Sequence, residues 1–227
     1  TLESVMNWKD SLKQYRFYLK IERGMSDNTV VGYEQDVNKL ITYLDENSID
    51  AGPADIGEET LQHFIYDSSK KTNPRSQARL LSGLRNFFDY QIFDGKRKDN
   101  PTDLIESPKI GRKLPDFLST AEIDAILSVI DLSTPEGERN KVMLETLYSC
   151  GLRVTELITL QISDLFFNEG FVRVIGKGDK QRYVPINEQN IRLIQLYLRH
   201  IRTAIPVQKG YEDTVFLNRR GKQITRN

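Results

Sequence analysis

Arg153 and Glu156 stand three residues apart in Cys150-Gly151-Leu152-Arg153-Val154-Thr155-Glu156-Leu157, directly after a glycine that breaks the preceding apolar pattern. On a helix that spacing sets a guanidinium beside a carboxylate. Arginine carries a permanent charge and a planar fork of N–H donors, which suits it to gripping a phosphate from two sides. Alone, Arg-x-x-Glu is equally a surface ion pair. Further on, Val174-Ile175-Gly176-Lys177-Gly178-Asp179-Lys180-Gln181-Arg182-Tyr183-Val184-Pro185 places Lys177 between two glycines at the apex of two strand-like runs. There the backbone can approach a ligand closely while the ammonium stays mobile. It is not a nucleotide-binding loop, because Gly-x-x-x-x-Gly-Lys-Ser/Thr is absent and the lysine joins two strands instead of a strand and a helix.

The elements that must position these groups are mainly helical. Leu12, Tyr15 and Leu19 recur at helical spacing from Trp8 to Arg23, where Gly24 stops the pattern. A second helix starts at Ser26-Asp27, carries Val30, Tyr33, Val37, Leu40, Ile41 and Leu44 on one face, and ends at Asn47-Ser48. A third runs from Glu58 to Ser68, and a fourth from Asn73-Pro74 to Gly95 with Leu80, Leu84, Phe87, Phe88, Gln91 and Ile92 inward. Asn100-Pro101 and the breaker-rich, basic Ser107 to Pro115 read as an interdomain connection. Beyond it, Ser119-Thr120-Ala121-Glu122 is a capping box, and Val142, Leu144, Leu147 and Tyr148 mark the next helix. Phe171–Ile175 and Arg182–Pro185 form a hairpin, a further helix spans about 188–204, and Val215-Phe216-Leu217 reads as a short strand before a turn at 218–221.

Composition narrows the class. The 227 residues contain 32 Lys plus Arg and 32 Asp plus Glu, with a single cysteine, Cys150. No apolar run approaches the ~18 residues of a membrane span, which predicts a soluble cytoplasmic protein with no membrane partner. One thiol excludes an internal disulfide framework, and two widely separated histidines leave no credible metal site. The zero net charge argues, taken whole, against nucleic acid, yet it resolves into blocks of −7 (residues 1–69), +6 (70–98), −7 (99–169) and +8 (170–227). Two basic surfaces, one per half, are what a clamp around a polyanion needs; the plain alternative is solvated helix faces.

The order Gly-Leu-Arg-x-x-Glu-Leu, then a strand, then Val-Ile-Gly-Lys-Gly-x-Lys-x-Arg-x-Val-Pro resembles the catalytic domain of tyrosine recombinases, with the bacterial Xer type the nearest pattern. The likeness extends over essentially the whole chain. Met25 to Tyr33 is similar to the family's first DNA-facing helix, Ser76 to Arg85 to its helical core-binding segment, and Asn100-Pro101 with Leu114-Pro115 to its linker. The resemblance implies an all-helical, SAM-like core-binding domain over 1–106, a linker over 107–115 and a mixed α+β catalytic domain over 116–227 that is incomplete. It implies DNA strand exchange through a phosphotyrosyl intermediate, with no cofactor. Arg153 would hold the scissile phosphate, Lys177 would protonate the departing 5′ oxygen, and Glu156 would orient Arg153. Thr29, Arg75, Arg79 and Arg85 on the first domain and Arg182, Arg219 and Arg220 on the second are the expected DNA contacts.

The family also requires a His-x-x-Arg pair, a further His or Trp and a tyrosine nucleophile, all beyond the segment matching 215–221. Leu198-Arg199-His200 is a helix surface out of register for that pair, and His63 reads as a structural histidine. Tyr15, Tyr33, Tyr43 and Tyr148 occupy core-like stripe positions and Tyr211 falls too early. The missing start Met and abrupt end suggest a piece of a longer protein, so the chain alone is expected to bind DNA without cleaving it and to be a monomer in solution. Implied partners are a double-stranded recombination site, further recombinase protomers forming a tetramer on paired sites, and a DNA translocase activator, with chromosome dimer resolution as the role. A phage or transposon integrase, or a DNA-binding scaffold that has lost catalysis, are the alternatives.

Overall fold

A computed structural model describes residues 7–111, 114, 116–176 and 178–226. The chain divides into two compact units, Thr1–Leu114 and Pro115–Asn227.

Among the described residues, the first unit is built from four α-helices. α1 (Trp8–Phe17) is capped by Asn7, whose side chain accepts from the Asp10 N–H, and passes into a π-helical turn over Tyr18–Glu22. Gly24, at φ +58°, then reverses the chain so that the Met25 N–H reaches the Leu19 carbonyl at 3.0 Å. α2 (Asp27–Glu46), α3 (Glu58–Ser69) and α4 (Pro74–Phe93) follow, the last with Pro74 in its first turn and the Asn73 side chain capping Ser76 N–H. Their apolar stripes meet in a core centred on Tyr15, Leu19, Val37, Leu40, Phe87 and Phe88. Trp8 and Tyr15 stack on and against the Phe87 ring, and the Tyr15 hydroxyl donates to Asn86 at 2.7 Å. The 100–102 stretch packs within this unit: Asn100 donates to the Arg85 carbonyl (3.2 Å) and to Asp89 (2.7 Å), and Thr102 is buried. His63, expected to be structural, is exposed on α3.

The second unit opens with α5 (Thr120–Ser128), where Ser119 and Glu122 form the expected capping box. α6 (Pro135–Cys150) is ended by Gly151 at φ +57°, and α7 (Val154–Ile158) follows directly after the extended Arg153. The sheet has three antiparallel strands in the order β1 (Leu165–Phe166), β2 (Phe171–Ile175), β3 (Gln181–Pro185), with Val172 opposite Val184 and Val174 opposite Arg182. β1 is too short to show a period-2 pattern in sequence. α8 (Glu188–Leu196) continues through a π-helical turn at Tyr197–Ile201. The expected strand at Val215–Leu217 is not one. These residues are fully buried under α6 and α8, held by Val215 N–H to the Leu160 carbonyl (2.9 Å) and by single bridges Gln161 to Thr214 and Leu217 to Gln223. Burial accounts for the unbroken apolar run without any ladder. On α6, Leu144 and Tyr148 face outward, while Val142 and Leu147 join the core.

Candidate functional site

Gly151 makes the site possible. Its left-handed conformation, cheap only for glycine, ends α6, and Leu152 N–H closes back on the Leu147 carbonyl at 3.2 Å. The chain then presents Arg153 in an extended conformation just ahead of α7, with Glu156 inside the first turn of that helix.

Glu156 is 3% exposed, yet every acceptor position on its carboxylate is occupied. Oε2 accepts from the Arg153 backbone N–H (2.8 Å) and from Arg182 Nη2 (2.9 Å). Oε1 accepts from Arg153 Nη1 (2.9 Å) and Arg182 Nη1 (2.5 Å). The Arg182 hydrogen bonds are the main reason that the Glu156 carboxyl titrates at about 2, below its ordinary 4.5; the Arg153 bonds add to this and burial opposes it. The Arg153 side chain remains 70% exposed. A buried, ionised carboxylate thus holds one edge of a guanidinium whose other donors face solvent, the arrangement that grips an anion bidentately.

Gly176 closes the far side. A Cβ there would lie 3.4 Å from Glu156 Oε1 and 3.6 Å from Arg182 Nη1, and the Gly176 N–H bonds the Lys180 carbonyl at 2.8 Å. The hairpin base therefore packs on the Glu156–Arg182 pair. Lys177 lies outside the described residues.

Of the other expected DNA contacts in this unit, Arg219 is exposed and 3.5 Å from Glu136, and Arg220 is exposed in the same turn. In the first unit Arg75 is exposed at the start of α4, and Thr29 is half-buried, its hydroxyl 2.9 Å from that of Ser26. Arg79 pairs with the buried Asp36. Arg85 donates to the Ile105 carbonyl at 2.5 Å and to Ser107 at 3.4 Å, tying α4 to the following segment. Arginines that composition counts as basic surface are thus partly spent inside the protein. Arg173 pairs with the buried Asp164 (2.7 Å), Arg139 donates to the Leu217 carbonyl (3.0 Å), and Arg202 donates to the Thr214 (2.9 Å) and Glu212 (2.6 Å) carbonyls. Strand parity was the available signal for Arg182: it shares a face with Val184, opposite Val172 and Val174, and so points inward.

Residues 116–227 match the phage integrase family, and residues 12–95 match the phage integrase N-terminal SAM-like domain. The chain belongs to this family of tyrosine recombinases. Among its relatives are proteins named tyrosine recombinase XerD: that of Listeria innocua is 37% identical over 218 residues, covering 96% of this chain and 73% of the relative. That of Yersinia pestis is 39% identical over 218 residues, covering 95% and 71%. The fold is shared with the XerH recombinase in a post-cleavage complex with palindromic difH (TM-score 0.70, 22% identity, 94% of this chain and 63% of that one). It is likewise shared with a lambda integrase dimer bound to a COC′ core site (TM-score 0.73, 16% identity, 97% and 59%).

Proposed function

We propose that this chain is part of a Xer-type site-specific recombinase, in which Arg153 binds the scissile phosphate of duplex DNA and Lys177 serves as the acid for the leaving oxygen. The observation that carries the reading is the exposed Arg153 fork held by a buried, doubly paired Glu156. Phosphoryl transfer places negative charge on the non-bridging oxygens, and donors fixed beforehand stabilise that charge without reorganising. In the reaction a tyrosine oxygen bonds to phosphorus, the bond to the 5′ oxygen breaks, the tyrosine gives up its proton and the 5′ oxygen gains one. A second strand's 5′ hydroxyl then reverses the step on a new partner.

The whole recombinase would work on paired sites as a tetramer in the cytoplasm, with a translocase as activator and chromosome dimer resolution as its role. XerH and lambda integrase appear in complexes with DNA, and lambda integrase as a tetramer on a Holliday junction, which supports DNA and further protomers as partners. Arg75, Arg219 and Arg220, exposed in their respective units, are the better phosphate contacts; Thr29 and Arg79 are secondary, and Arg85 has its donors turned to the protein.

Within these 227 residues no His-x-x-Arg motif occurs. The chain should bind duplex DNA with a log–log salt slope of about −0.9 per phosphate neutralised, and form no covalent adduct on a nicked suicide substrate. Salt-indifferent binding, or an R153Q variant with the wild-type slope, defeats the phosphate reading. A trapped phosphotyrosyl complex defeats the assignment of the nucleophile elsewhere.

A further inference from the structure

We propose that Arg182 is a positioning residue that sets Arg153 by clamping Glu156, and is not itself a DNA ligand. The inference rests on the reading of Arg153 as the phosphate-binding group.

The geometry assigns the donors. Arg182 lies on the core-facing side of β3, and both its terminal nitrogens are committed, one to each oxygen of Glu156. Glu156 in turn spends one oxygen on the Arg153 side chain and the other on the Arg153 backbone N–H. The two ends of Arg153 are therefore fixed by one carboxylate, and that carboxylate is fixed by Arg182. Without Arg182, Glu156 would keep half of its acceptor sites unfilled in a buried setting, where a carboxylate protonates or rotates. Either change frees the Arg153 fork.

Charge points the same way. If Glu156 faced Arg153 alone, the pair would be neutral and a poor host for phosphate. With Arg182 neutralising the carboxylate, the trio keeps one positive charge in excess, and Arg153, 70% exposed against 39% for Arg182, is the member that presents it more fully to solvent. The Asp164–Arg173 pair of the same unit shows the contrast: one carboxylate, one arginine, no surplus. Gly176 against the pair further links the hairpin base to this support.

The test uses the 227-residue chain with a mixed-sequence duplex and R153Q, R182Q, R182K and R153Q/R182Q variants. Arg153, just ahead of α7, and Arg182 from β3 are the charged groups set against Glu156, so its carboxyl titration, followed by NMR without DNA, reports the clamp. In R182Q it should climb from about 2 toward 4.5, with R182K between. The salt slope should fall by up to about 0.9 in R153Q and in R182Q, and the double variant should lose no more than either single one. Recovery of slope in R182K follows if the clamp is restored in part; R182K also carries the test should R182Q not fold. An additive loss of about 1.8 in the double variant, or an unmoved Glu156 titration, overturns the inference while leaving the phosphate reading intact. An R153Q variant with the wild-type slope overturns that reading, and the inference with it.

Discussion

The two units each bury a carboxylate beside an arginine, and they solve the problem differently. In the helical unit Asp36, 0% exposed on α2, lies against Gly83 of α4 and pairs with Arg79, with Lys39 more distant at 3.8 Å. Its Oδ2 has no hydrogen-bond partner, and burial pushes its carboxyl above the ordinary value despite Arg79 and Lys39. In the mixed unit Glu156 has both oxygens doubly engaged and titrates well below the ordinary value. Burial opposes ionisation at both sites; the number of donors aimed at the carboxylate decides which effect wins. Asp36 is a packed acid under partial relief, whereas Glu156 is a fixed anion on which a second charge can be mounted.

The largest separation between the two sites should come from deleting each acid. E156A removes a carboxylate that accepts four hydrogen bonds and leaves its cavity empty, but Arg153 and Arg182, 70% and 39% exposed, can turn to water, so a loss of about 1–3 kcal/mol is expected. D36N replaces a carboxylate whose charge is already disfavoured, and Arg79, 52% exposed, can turn to water; a change within about 1 kcal/mol is expected. Denaturant unfolding, read separately for each unit's transition, measures both. Equal losses would erase the distinction.

Next in size, G83A sharpens the account of Asp36. A Cβ at Gly83 would collide with Oδ2 and come within 2.9 Å of Cγ of the fully buried Asp36, between α2 and α4. Overpacking of this kind costs about 1–3 kcal/mol, and combining it with D36A should recover much of the loss.

The pH dependence should carry opposite signs. Glu156, lowered from 4.5 to about 2, contributes stability that is complete above its unfolded value and drains as pH falls from there toward the folded value. Asp36 is raised above 3.8, so the native chain holds its proton after the unfolded chain has released it, and stability declines as pH climbs past 3.8. Unfolding midpoints across mild acid should lose the acid-side slope in E156Q and the opposing slope in D36N. The smallest effect is expected at the exposed turn: R219A and R220A should leave stability within about 0.5 kcal/mol, while each lowers the DNA salt slope by up to about 0.9.

Much of this arrangement was legible in the chain's order of residues. Four amphipathic stripes, the Asn73-Pro74 start of α4, the Ser119 box and the Gly151 break each carry their own local physics, and each formed where its pattern begins. β1 and the buried 215–217 segment were not legible, because a two-residue strand has no period and an apolar run looks the same inside a ladder or beneath two helices. Tyr148 and His63 show a related blindness: helical spacing identifies a stripe without saying whether anything covers it.

The sequence by itself determined the helices, the hairpin, the Arg153-to-Glu156 spacing and the family likeness, since these depend on neighbours within a few residues or on an ordered motif. Only the tertiary structure decided how each basic side chain is used. Charge counted along the chain assigns Arg182, Arg79 and Arg85 to the surface blocks, but a guanidinium on a long stem goes where the best-placed acceptors are, and Glu156, Asp36 and the Ile105 carbonyl are brought to them only when distant segments pack.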